Sequence, residues 1–330
     1  MSVDVFGLGN ALVDALVVLD ERDLLREHDL DRGTMHLVDD GRWHRVYAGV
    51  PEEQVAIHPG GSCANSVSTV ARLGGAATFC GLVGTDDLAD RYDRGLAETL
   101  GDHHLRRRPG APTGKCLSLV SDDDAERTMV TDLGTAMELR PDELPLEAVA
   151  GADWLHITGY LFTGGAMGDA AMAALAHAKE VGTRISFDLG DTFVIDHFRP
   201  AVDRVIDEYA DVVFMNLEEG RALAGADPEQ CLDALGERAD TVVLKLGKRG
   251  SLIKHAGGVV PIEARRVEAV DTTGAGDSYA GGFLYGLVRG WPLETCGALA
   301  SAVAALTVSQ MGGVVRDADA LIALRDEIAP

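Results

Sequence analysis

Residues 154–215 read WLHITGYLFTGGAMGDAAMAALAHAKEVGTRISFDLGDTFVIDHFRPAVDRVIDEYADVVFM, and the periodicities in that stretch decide the fold. An apolar run, Trp154 to Ile157, leads into an Ala-rich helical pattern over Ala166 to Glu180. Arg184 to Asp188 reads as strand, Arg199 to Tyr209 as helix, and Asp211 to Met215 as strand again. Strands separated by helices of this length pair through crossovers, so the sheet is parallel and helices cover both of its faces. The pattern continues through Thr241 to Leu246, a hairpin around Gly257 and Gly258, and two long helices split near Trp291 and Pro292. The tail from Asp317 reads as a plain amphipathic helix. The expectation is one α/β domain over residues 1–330, three layers thick (αβα), on a doubly wound, mainly parallel sheet.

The first half of the chain adds a second pattern. Lys115 to Ser121 and Arg127 to Asp132 look like strands joined by an acidic turn, Asp122, Asp123 and Asp124, while Val13, Ala15, Val17 and Leu19 alternate with more polar neighbours. Insertions at about 11–39 and 112–133 are therefore expected to pair into a small β-sheet lid.

Composition narrows the ligand. The 330 residues are 46% hydrophobic and 25% charged, enough for a sizeable core. With 29 basic against 53 acidic residues, the formal net charge of −24 disfavours nucleic acid and anionic membranes and leaves a small molecule as the expected partner. Only five of the basic residues are Lys; a high-salt interior would favour such a surface, and a GC-rich genome would give the same Arg bias. The five cysteines are widely spaced without a CxxC, which points away from disulfides and zinc and toward a reducing cytoplasm. No apolar run approaches the ~20 residues needed to cross a bilayer.

Two glycine-rich segments imitate nucleotide motifs. Gly7-Leu8-Gly9 follows the first strand, but the third glycine of a dinucleotide fingerprint is missing and the chain beyond looks extended. Gly110 to Cys116 is one residue short of a P-loop and ends in Cys where a magnesium-binding hydroxyl is needed. Asp271-Thr272-Thr273-Gly274-Ala275-Gly276-Asp277-Ser278 differs in kind. It precedes a helix whose apolar positions Ala280, Phe283, Leu284, Leu287 and Val288 keep helical spacing. Backbone N–H groups of Gly274, Ala275 and Gly276 at such a helix start lack intrahelical partners, carry almost no side chain, and suit an anion. Asp277 beside them can take the proton of an attacking hydroxyl.

With these segments the sequence resembles the ribokinase (PfkB) family of sugar and nucleoside kinases. Gly60-Gly61-Ser62-Cys63-Ala64-Asn65 and Asp271 to Phe283 match its two signature regions. Gly9-Asn10, Gly84-x-Asp86, Asn216-x-x-Glu219 and Leu246-Gly247-Lys248-Arg249-Gly250 fall in the family's order. The resemblance implies a ribokinase-like fold and ATP-dependent phosphorylation, with Asp277 as base and Gly274, Ala275 and Gly276 as anion hole. It also implies that Asn216 and Glu219 order magnesium through water, that Gly247, Arg249, Gly250 and Thr272 serve the nucleotide, and that Arg127 closes over the transferring phosphoryl. Asn10, Asp14, Gly60, Gly61 and Asn65 would grip the acceptor's ribose, Tyr160 or Phe162 would stack on a base, and a monovalent cation such as K+ could sit near Asp271. Gly159 to Phe162 and Gly9 to Asp14 look most like the adenosine kinase branch, which makes adenosine to AMP the expected reaction. Asp188 departs from that branch and suits a free sugar of the ribose, fructose or 2-keto-3-deoxygluconate type. A monomer and a homodimer, paired through the lid sheets, are both compatible with the family. Two bland alternatives stay open: Gly60-Gly61-Ser62 as an N-cap for the helix after it, and Arg127 as a surface partner of the acidic turn.

Overall fold

The computed structural model describes residues 3–123, 126–224 and 227–330. Its larger sheet has eight strands. From one edge these are Gly258–Ile262, Ser251–His255, Thr241–Lys245, Val212–Asn216, Arg184–Asp188, Ala152–Thr158, Val3–Leu8 and Ala77–Cys80. All neighbours are parallel except in the hairpin of the first two and its junction with Thr241–Lys245. The central strands are buried on both sides, which is why they read as continuous apolar runs. One face packs against the helices Met167–Val181, Thr192–Glu208 and Pro228–Gly236 around Leu155, Phe187 and Leu244. The other meets Ser62–Arg72, Ala275–Val288 and Leu293–Val308 around Phe79, Phe214 and Phe283. Both faces are thus covered by helices, and the fold class read from the sequence is the one observed.

The helix read from Arg199 begins earlier, at Thr192, where the Asp191 carboxylate accepts from the Phe193 N–H at 2.8 Å. Pro200 hid this, because a proline normally breaks a helix; here the helix kinks at Phe198 and continues.

The smaller sheet runs in the order Met35–Leu37, Arg127–Asp132, Gly114–Ser121, Leu12–Leu19, Ala56–Gly60. The last strand comes from beyond the two stretches expected to form it, and contains Pro59, tolerable on an edge. Register places His58, Asp14, Cys116, Thr131 and Leu37 in one row across all five strands, so their side chains share a face. Ala15, Val17, Leu117 and Val130 belong to the opposite face, packed on Leu24, Trp43 and Val46. In the acidic turn, Asp123 pairs with Arg22 at 3.2 Å, while Asp124 lies outside the described residues. No helix among the described residues is long and apolar enough to cross a membrane.

Candidate active site

Gly274 is the N-cap of Ala275–Val288 and takes φ +65, a left-handed conformation that glycine adopts freely. A Cβ there would also collide with the Gly313 carbonyl, so backbone from the loop after Leu293–Val308 closes tightly on this turn. Asp271 ties the turn together. It accepts from the Thr273 N–H at 2.9 Å, the Thr273 hydroxyl, the Gly312 N–H at 2.9 Å, and Arg127 Nη1 at 3.1 Å. Burial alone would raise its pKa, but these donors outweigh burial and hold it below the usual carboxylate range. Arg127 thus reaches from the small sheet to the turn before the helix start at Gly274. A cation at Asp271 would have to compete with that guanidinium.

Asp277 lies in the first turn of the helix. Its Oδ1 accepts from the Ser62 hydroxyl at 2.6 Å and its Oδ2 from Asn65 Nδ2 at 2.9 Å. Burial raises its pKa to about 6; the two hydrogen bonds and Lys245 pull it down, and Asp188 pushes it up. Ser62 makes no cap for its own helix, whose N-cap is Gly61 without a side-chain bond, so the serine aims the carboxylate instead.

Asp188, Asn216 and Lys245 stand at the C-terminal ends of three adjacent parallel strands, the edge at which open α/β sheets bind ligands. Lys245 Nζ bonds Asp188 Oδ2 at 2.7 Å and would lie 3.1 Å from a Cβ on Gly276, which puts an ammonium beside the helix start, where the Ala275 N–H, expected to be free, donates to the Thr272 carbonyl at 3.4 Å. Burial works against that charge, but Asp188 and Glu219 outweigh it and raise the Lys245 pKa. Sequence reasoning missed this residue: the only signal was a lysine ending an apolar strand, in register with Asn216. Asp188, expected to suit a sugar, is held by Lys245 and by the Gly190 N–H at 3.2 Å.

Asn216 and Glu219 form a reciprocal cap. Glu219 N–H donates to Asn216 Oδ1 at 2.9 Å, while both Glu219 oxygens accept from Asn216, at 2.5 and 2.8 Å. Burial raises Glu219 to about 7, Lys245 opposing and Asp188 adding to the shift. Among the described residues no three His, Cys, Asp or Glu side chains gather as a metal cage. Such a donor set fits magnesium only in its usual sparse mode, with retained waters and phosphate oxygens filling the shell.

On the acceptor side, Gly60 and Gly61 are required by close approach: a Cβ on the first would strike the Asp14 carboxylate, and one on the second the Asn10 carbonyl. Burial, then the charge of Asp277, raises Asp14 to about 7, with Arg127 opposing. Asn10 is buried; its Nδ2 donates to the Tyr160 carbonyl at 3.3 Å and its Oδ1 has no partner. Asp14 and Asn65 line a cavity of about 390 Å³ with Leu16, Met129, Thr273 and Gly313.

Four further expected residues have these surroundings. Phe162 is buried in the main core with its edge on Phe187, centroids 6.4 Å apart, so it stacks on protein and not on a base. The Tyr160 hydroxyl is spent on the Gly190 carbonyl at 2.9 Å. Arg249 is exposed in a short turn, Gly247–Arg249, where Gly250 at φ +86 leaves room for the Ile262 carbonyl. Thr272 is exposed at the mouth of the turn.

The pfkB family carbohydrate kinase model matches residues 34–318. Adenosine kinase of Saccharomyces cerevisiae is 30% identical over 275 residues, covering 77% of this chain and 78% of that protein. A fructokinase of Klebsiella pneumoniae is 31% identical over 265 residues, covering 74% and 85%. Among solved structures, adenosine kinase from Sinorhizobium meliloti superposes with a TM-score of 0.90 at 30% identity, over 100% of both chains. A glycine-capped helix start with a hydrogen-bonded carboxylate in its first turn, on a sheet of this topology, agrees with those likenesses: the chain belongs to the pfkB family of carbohydrate kinases and is an ATP-dependent sugar or nucleoside kinase of ribokinase-like fold.

Proposed function

We propose that this kinase transfers the γ-phosphoryl group of ATP to the primary hydroxyl of a ribose-containing acceptor, with adenosine as acceptor and AMP as product. The hydroxyl oxygen forms the new bond to phosphorus, the bond to the β,γ-bridging oxygen breaks, ADP leaves, and the hydroxyl proton passes to Asp277. A carboxylate with a pKa of about 6 is largely ionised at neutral pH yet still basic enough to take that proton. Ser62 and Asn65 fix its direction, which serves near-attack geometry. The amides of Gly274, Ala275 and Gly276, with Lys245 beside them, stabilise charge on the phosphoryl oxygens, and Arg127 can exchange Asp271 for the same oxygens. Asn216 and Glu219 would hold waters of magnesium, which when bound with ATP supplies charge neutralisation at the phosphates.

The observation that favours a nucleoside is the row through Asp14. Asp14 grips the diol, and toward one side of the same sheet face lie Leu16, Met129, Met35 and Leu37, the last two exposed, an apolar bed that a bare sugar would leave wet. The fructokinase likeness supports a second reading, a free-sugar kinase, but Asp188, the residue suited to it, is already engaged by Lys245. An ADP-release assay with adenosine, other nucleosides, ribose, fructose and 2-keto-3-deoxygluconate tests the choice. Adenosine should give the highest kcat/KM; a sugar outrunning every nucleoside would retire the nucleoside reading and leave phosphoryl transfer standing.

A further inference from the structure

The cavity lined by Asp14 and Asn65 is also lined by His58, Arg72 and Arg316. Many arginines in this acidic chain pair with carboxylates, as Arg107 does with Asp90 and Asp93, and Arg238 with Asp203 and Asp207. Arg72 donates only to neutral oxygens, the Arg316 carbonyl at 2.9 Å and the Thr99 hydroxyl at 3.1 Å, and its Nε is buried without a partner. His58 Nε2 is likewise buried and unpartnered. The Arg316 guanidinium lies over Gly312, where a Cβ would be 3.7 Å from Nη2, and no carboxylate among the described residues pairs with it. Glu98 lines the same cavity without forming an ion pair. Burial, and then the charge of Arg316, depresses the pKa of both Arg72 and His58.

In a protein with a formal net charge of −24, a buried Arg72 nitrogen and a buried His58 nitrogen, both without a hydrogen-bond partner and beside a second guanidinium that forms no ion pair among the described residues, are a recognition feature. We propose that His58, Arg72 and Arg316 form a binding site for a phosphate or carboxylate oxyanion in the wall of the acceptor cavity. It is separate from the anion hole, whose cation is Lys245 on the main sheet; here the charges come from the small sheet, the helix Ser62–Arg72 and the loop that precedes Asp317. Forked guanidiniums match the oxygen pairs of such anions. The oxyanion is either a free ion held beside the acceptor or an acid group carried by an acceptor.

The test uses the full-length protein with a saturating non-hydrolysable ATP analogue, so that the anion hole is filled before inorganic phosphate is titrated. Calorimetry should then show saturable phosphate binding, weakened about tenfold or more in Arg316→Gln and in Arg72→Gln. It should be unchanged in Arg204→Gln, which removes an equal charge from an exposed pair with Glu208. Arg316→Gln has no hydrogen bond to lose, so it keeps the test informative even if Arg72→Gln unfolds. A second arm compares ribose with ribonate: a preference for the acid that disappears in Arg316→Gln identifies an acceptor-borne group, whereas phosphate binding without that preference identifies a free ion. If Arg316→Gln binds phosphate like the parent and shows the same ribonate-to-ribose ratio, the site is refuted. Failure of the ATP analogue to bind would instead count against the kinase mechanism above.

Discussion

Arg127 Nη1 lies 3.1 Å from Asp271 Oδ1, an ion pair joining the small sheet to the segment proposed as the anion hole. Asp271 spends both oxygens on this arginine, Thr273 and Gly312, so its negative charge is already balanced. At constant ionic strength, replacing K+ with tetramethylammonium should leave the rate unchanged. Arg127→Gln should lower kcat and make the remaining rate respond to K+, since Asp271 is then free to bind a cation. Steady-state kinetics in the two salts measure both effects.

Asp277→Asn keeps the shape of the helix start but cannot accept a proton. Turnover should fall by roughly 10²- to 10⁴-fold with nucleotide affinity retained. The parent's kcat/KM should fall as pH drops through about 6. Asp14 and Glu219, both raised to about 7, titrate nearby, so the apparent pKa belongs to the cluster. Stability should move the other way. A carboxyl whose folded-state pKa lies above its unfolded value contributes stability that is full below the unfolded value and lost as pH rises through the folded one. Melting temperature of the ligand-free enzyme should therefore decline between about pH 4 and pH 7, and less steeply in Asp14→Asn.

Lys245→Met strands the buried Asp188 carboxylate, and breaking one side of such a pair typically costs about 3–5 kcal/mol. Adding Asp188→Asn removes the stranded charge. The double variant should recover most of the lost stability in denaturant titrations but little of the lost turnover, because the ammonium near Gly276 is still absent. Recovery of both would reduce Lys245 to a structural role.

An acceptor lacking one diol hydroxyl loses a charge-assisted hydrogen bond to Asp14, about 1.5–3 kcal/mol. 2′-Deoxyadenosine should react some 10- to 150-fold less efficiently than adenosine, and Asp14→Ala should erase most of the gap. A difference that persists in the variant would place the hydroxyl reader elsewhere.

Self-repulsion at a net charge of −24 is screened by salt. The melting temperature should rise between low salt and about 1 M KCl; a flat or falling curve would leave genomic base composition as the source of the arginine bias.

The sheet, its crossovers and the helix start at Gly274 were legible because each depends on near neighbours in the chain: periodicity, glycines and a following amphipathic run. What was not legible depends on register between distant strands. Lys245 acquires its significance only because Asn216 and Asp188 end their strands beside it. Ser62 looked like a capping residue until the fold brought Asp277, 215 positions away, to its hydroxyl. Phe162 failed for the opposite reason: an aromatic beside a strand end has the same local pattern whether it faces a ligand or, as here, Phe187.

The row from Leu37 through Thr131, Cys116 and Asp14 to His58 crosses from an apolar margin to a cationic one. A molecule laid across it would meet different surroundings at each end, so turning it end for end would exchange a buried ring for a wetted one. If the acceptor lies across this row as proposed, the enzyme would select direction as well as composition: one hydroxyl would be presented to Asp277, and the sheet would decide regiochemistry before any phosphorus–oxygen bond is made.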